Sequence, residues 1–187
     1  MIIKLFSSIL CITALALAGP VMGADAPKEK PSKLAADSRA TLSKLYAKVP
    51  GAKAIGAKSV AVLVFPKVTK AGLMIGGQYG EGTLFKDGKA VAYYNTTGAS
   101  YGLQAGAQTY GYTMFFMNDK ALAQLDSMEG FEVGVGPSVV VMDEGMAKST
   151  TTTTMKDDIY AFIFGQKGLM AGLGLQGNKI SRLQAGK

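Results

Sequence analysis

Histidine and tryptophan are absent from the 187-residue chain, and cysteine occurs once. Without histidine there is no Ser-His-Asp triad, no Cys-His pair and no imidazole metal ligand. One cysteine cannot build a zinc ribbon, an iron–sulfur cluster or a disulfide framework. Charged residues make up 18% of the chain against 48% hydrophobic ones, a balance that excludes a wholly disordered polymer. The length suits one domain with a proper core. Glycine, by contrast, is abundant, with 24 residues. No collagen repeat accounts for them, so they call for a structural reason.

The first segment reads as an address. Lys4 supplies a positive start, Leu5 to Ala18 is largely apolar, and Gly19-Pro20 closes the run before the small residues Gly23 and Ala24. The run is shorter than the roughly 20 residues a spanning helix needs. A secretory signal peptide is therefore expected over 1–23, then a flexible spacer over 24–32 and a single domain over 33–187. Cys11 lies inside the apolar run behind Leu10 rather than behind a small residue at its end, which argues against lipoprotein anchoring. The mature chain would lack cysteine, and losing Lys4 leaves it a net charge of +6. A periplasmic or secreted location is expected.

Lys33 to Val49 has helical periodicity. Leu34, Leu42, Leu45, Tyr46 and Val49 share an arc of about 120°, with Lys33, Lys44 and Lys48 on the opposite face. Pro50-Gly51 stops this helix, and one more turn is expected within 52–58. From Ser59 the pattern turns to strands. Ser59 to Phe65 is continuously apolar and reads as a central strand closed by Pro66. A glycine-rich strand follows over 71–79. Asp87-Gly88 is a two-residue hairpin signal between 83–86 and 89–95. Further strands are expected over 101–108, 113–117, 132–135, 138–142, 159–164 and 169–176, with Thr150 to Thr154 as a polar edge strand. Asn118 or Asp119 is placed to cap a short helix reaching Met128. Short connections favour antiparallel pairing. The expected fold is α+β and β-rich: a curved antiparallel sheet or open barrel, with the N-terminal amphipathic helix and one short additional helix packed on it. Glycines inside strands fit bulges, curvature or close backbone approach.

Motifs for chemistry are sparse. Gly172 to Gly177 matches G-x-G-x-x-G, but too little chain follows for a βαβ unit, so a glycine-rich strand is the better reading. Gly72-Leu73-Met74-Ile75-Gly76 echoes Gly168-Leu169-Met170-Ala171-Gly172, which suggests two similar strands. The acidic residues show no pairing pattern and read as solvated carboxylates. No metal site, cofactor or catalytic residue is expected, and no nucleic-acid motif is present.

Charge distribution says more. Residues 28–70 carry ten cations and two acids, while residues 71–187 carry nine cations and ten acids. The basic excess therefore sits on and beside the amphipathic helix. A solvated helix face would account for it. So would contact with an anionic surface, because a basic helix with an apolar face suits a membrane interface.

Four segments in order carry a resemblance: 57–66 (AKSVAVLVFP), 70–82 (KAG through GEG), 101–108 (YGLQAGAQ) and 167–172 (KGLMAG) with Gln176-Gly177. On these the chain resembles the SYLF-domain family, in its secreted bacterial branch, from about Ala36 to Leu183. The resemblance implies a lipid-binding module whose basic N-terminal segment meets the lipid, and it brings no catalytic residues. A non-catalytic module that binds anionic phospholipid or a membrane surface is thus expected. Headgroup contacts would come from Lys33, Lys44, Lys48, Lys53 and Lys58. Leu34, Leu42, Leu45 and Val49 would either enter the interface or pack on the sheet. The alternative is an envelope structural module whose partner is a protein.

Overall fold

The computed structural model describes residues 30–73, 75–101, 106–126, 130–142, 155–167, 175 and 177–183. The expected signal peptide and most of the spacer lie outside the described residues, as does the Thr150–Thr154 strand.

Two helices come first. Helix α1 spans Pro31–Lys48 and α2 spans Pro50–Gly56, each with proline in its first turn, where a missing N–H costs nothing. α1 thus begins at Pro31, inside the expected spacer. Four long strands follow: β1 (Ala61–Leu73), β2 (Ile75–Lys86), β3 (Lys89–Tyr101) and β4 (Gly106–Phe116). Then come α3 (Asp119–Ala123), a 3-10 turn (Gln124–Asp126), β5 (Phe131–Glu132), β6 (Val139–Met142), β7 (Ile159–Lys167) and β8 (Lys179–Arg182). The strands form one eight-stranded sheet ordered β5-β8-β3-β2-β1-β4-β7-β6, curled into a half-barrel. β1, β2 and β3 are successive neighbours and β4 returns beside β1, the Greek-key order.

Several expectations change in detail. Pro66 does not close β1. It sits in a bulge where the register shifts against both β2 and β4, so its missing N–H is removed from the ladder and the strand runs on to Leu73. Asp87 and Gly88 both have positive φ, 50° and 72°, and join Lys86 to Lys89 as the hairpin signal predicts. The stretch 101–108 is not one strand: Tyr101 ends β3 and Gly106 begins β4. β6 and β7 pair in parallel, against the antiparallel expectation. The connection 143–158 is long enough for the crossover that parallel neighbours need. β8 lies C-terminal to the strand expected over 169–176, of which only Leu175 is described, outside any strand.

The core has two layers. Leu63, Phe65, Val68, Tyr110, Tyr112 and Met114 from the centre meet Phe131 and Ile180 from one end of the sheet and Ile159 from the other. Residues from both ends share this cluster, so it lines the inner face of the curl, and Ala121 of α3 and Leu125 close it. Val62, Val64, Phe85, Phe115, Tyr160 and Phe162 form the outer cluster with Leu45, Ala52 and Ile55 of the N-terminal helices. β1 therefore buries both faces, which is why its sequence is continuously apolar.

Candidate binding surfaces

α1 is fixed to the outer face by residues spaced three, four and seven apart. Leu34, Ser38 and Leu45 are buried, and Leu42, Tyr46 and Val49 pack half-buried on the same cluster. The Ser38 hydroxyl donates to Thr83 Oγ1 at 3.1 Å in a buried contact. Arg39 donates to the carbonyl of Gly88 at 2.9 Å and lies 5.1 Å from the centroid of the Phe85 ring. It ties the helix to the β2–β3 turn. Of the four apolar residues anticipated at an interface, Leu42, Leu45 and Val49 thus pack in the outer cluster, and Leu34 is buried.

The five anticipated lysines are exposed. Lys33, Lys44 and Lys48 fall within about 60° of one another at 100° per residue, so they form a row along one flank of α1 rather than directly opposite the buried stripe. Lys53 lies on α2 and Lys58 just beyond it. Lys33 pairs with Asp37 at 3.2 Å, an exposed contact of small energy. Lys44, Lys48 and Lys53 make no ion pair among the described residues.

Sequence reasoning missed a second polar group, on the inner face at the glycine-rich end of the sheet. Lys70 of β1 stands directly across from Gln78 of β2 and from Gln108 of β4. Tyr110 donates to Gln78 Oε1 at 2.9 Å, and Gln78 Nε2 donates to Asn178 Oδ1. A Cβ on Gly98 would lie 2.7 Å from both of those amide atoms, so the glycine makes room for them. Asn178 is 3% exposed and its Nδ2 is buried without a partner. No local spacing announces this group, because strand register across four strands assembles it. A separate shallow cleft of about 260 Å³ lies near Phe131, Glu132, Val135 and Lys179 at the β5 edge.

Among the described residues no helix is long and apolar enough to cross a membrane. Residues 97–185 match the family model described as Ysc84, Las17-binding protein actin regulator. The match begins within β3, so α1, α2 and their lysines lie outside it. No curated protein matches the chain. The family match and the β-rich half-barrel agree with the resemblance seen in the sequence: residues 97–185 match the SYLF (Ysc84) family, a family of binding modules.

Proposed function

We propose that the protein is a non-catalytic module that docks peripherally on anionic phospholipid through the exposed lysines of α1 and α2, outside the cytoplasm once residues 1–23 are removed. One observation carries the reading. The basic excess of the chain is concentrated on a helical layer whose apolar side is already occupied, leaving exposed lysines on α1 and α2, of which Lys44, Lys48 and Lys53 are unpaired among the described residues. Each lysine near an anionic bilayer contributes on the order of 1 kcal/mol. Insertion of the apolar strip adds little. Leu34 and Leu45 are already out of water, and undocking α1 would wet Val64, Phe85 and the other outer-face residues beneath it.

Co-sedimentation with phosphatidylglycerol vesicles and with neutral phosphatidylcholine vesicles tests this. Binding should be confined to the anionic vesicles and weaken at high salt. The double variant Lys44→Ala/Lys48→Ala should bind about 30-fold more weakly. Equal binding to both vesicle types, or an unaffected variant, sinks the electrostatic reading.

The family description names a protein, Las17, as what its members bind. That supports a second reading, in which the module recruits an envelope protein. A stoichiometric partner in pull-downs, with no vesicle binding by the purified chain, would favour it.

A further inference from the structure

The polar group on the inner face is a row that runs across four strands. Asn178 lies over Gly98 of β3, Gln78 is on β2, Lys70 on β1 and Gln108 on β4, each Cα directly opposite the next from Gly98 to Gln108. Directly opposite residues of an antiparallel pair share a face, with Cβ atoms about 5 Å apart. Tyr110, a member of the inner cluster, bonds Gln78, so the shared face is the inner one.

Three features set this row apart from an ordinary strand end. Lys70 is its one charged member and has no carboxylate partner among the described residues. The other members are uncharged: Tyr110 spends its one O–H on Gln78, and the side-chain amides bring further N–H donors without competing charge. And Asn178 Nδ2, held in place by the bond at its own Oδ1, is buried beside the Tyr110 hydroxyl without a well-formed hydrogen bond to it. An unmatched buried donor costs about 1–3 kcal/mol. A ligand oxygen would remove that cost.

We propose that this row is a binding site for a singly charged phosphate ester bearing hydroxyl groups, with Lys70 facing the phosphate and the Asn178, Gln78 and Gln108 amides facing oxygens on either side. The width of the row selects the class. Three strand spacings of about 4.8 Å separate its ends. A carboxylate, with both oxygens on one carbon, cannot reach across it. A phosphodiester between hydroxylated groups can, and its single charge matches the single lysine. Such an ester is found both in the headgroup of an anionic lipid and as a free, soluble molecule. The site is distinct from the α1–α2 lysines and does not depend on them.

Titration of the full chain with glycerophosphoglycerol, followed by two-dimensional NMR, tests the site. Saturable shifts are expected at Lys70, Gln78, Gln108 and Asn178. Lys70→Ala, at a half-exposed position, should keep the fold and bind about tenfold more weakly, the loss of one charge-assisted contact. Lys44→Ala/Lys48→Ala should leave these shifts unchanged even where it abolishes vesicle binding, which separates this site from the surface reading. Shifts confined to the lysines of α1 and α2, no saturable shifts, or undiminished affinity in Lys70→Ala would each overturn the proposal. For a chain that shows the site, co-sedimentation of Lys70→Ala with phosphatidylglycerol vesicles identifies the source: weakened binding marks a lipid headgroup, and unchanged binding marks a soluble ester.

Discussion

Gly82 occupies a point where the inner face has no room for another atom. A Cβ there would lie 2.6 Å from Cδ1 of Phe65 and 2.7 Å from the carbonyl oxygen of Val64. The Phe65 ring, stacked at 4.6 Å on Tyr112, covers the glycine, and a backbone oxygen cannot step aside as a flexible side chain can. Gly82→Ala should therefore cost about 1–3 kcal/mol, read as a lower urea midpoint. Gly77, on the same strand, has open space where its Cβ would go, so Gly77→Ala should leave the midpoint nearly unchanged. Equal midpoints for the two variants would show that the Phe65 ring yields. That these glycines serve close approach or curvature was legible in the sequence. Which glycine serves which end was not, because the crowding atoms belong to neighbouring strands.

Among the elements, α3 shows how one polar side chain couples three segments. Asn118 accepts from the Ala121 N–H at 2.8 Å, capping the helix, and its amide donates to Asp158 Oδ1 at 2.8 Å, just before β7. Asp158 Oδ2 accepts the Ser138 N–H at 3.0 Å, just before β6. The Asn118 contact first, and then the Ser138 N–H, hold the Asp158 carboxyl below its usual pKa. Asn118→Ala should cost about 1–2 kcal/mol at neutral pH through loss of the cap. A depressed carboxyl stabilises the fold above its unfolded pKa, and that contribution disappears as pH falls through the folded value. The gap between parent and variant in urea unfolding should therefore narrow below about pH 4. A gap that stays constant would mean that Asp158 takes no part.

The cap, the Asp87-Gly88 hairpin and the central position of β1 could all be read locally, since each depends on a few adjacent residues. The parallel β6–β7 pair and β8 could not. Lys179–Arg182 has no alternation strong enough to mark a strand, and only its pairing with Tyr94 to Thr97 makes it one. The candidate sites divide in the same way. The helical lysines follow from periodicity within one element, whereas the row around Lys70 depends on register among β1, β2, β3 and β4.

At the scale of the whole molecule, charge sits on the outer helical layer while the inner face buries phenols. Burial first, and then its bond to Asp126, raise the pKa of Tyr94. Burial raises Tyr110 to about 12 and raises Tyr112 further. The Tyr112 hydroxyl is wholly enclosed near Thr96, without a well-formed hydrogen bond to it. In the unfolded chain these phenols titrate near pH 10. Below that pH both states hold their protons and stability is indifferent to these groups. Above it the unfolded chain releases protons first, so the folded state binds more protons and the free energy of unfolding falls as pH rises. The decline from each group ends only once its folded pKa is passed, first for Tyr110 at about 12. For the fully buried Tyr112 the slope is up to about 1.4 kcal/mol per pH unit. Urea unfolding across the alkaline range should show this loss beginning near pH 10, and Tyr112→Phe should flatten it. The same variant removes a buried hydroxyl that gains no good bond in the fold, so at neutral pH it should be no less stable than the parent. An alkaline slope identical in parent and variant would mean that the Tyr112 hydroxyl reaches water, and that the inner face of the half-barrel opens in solution.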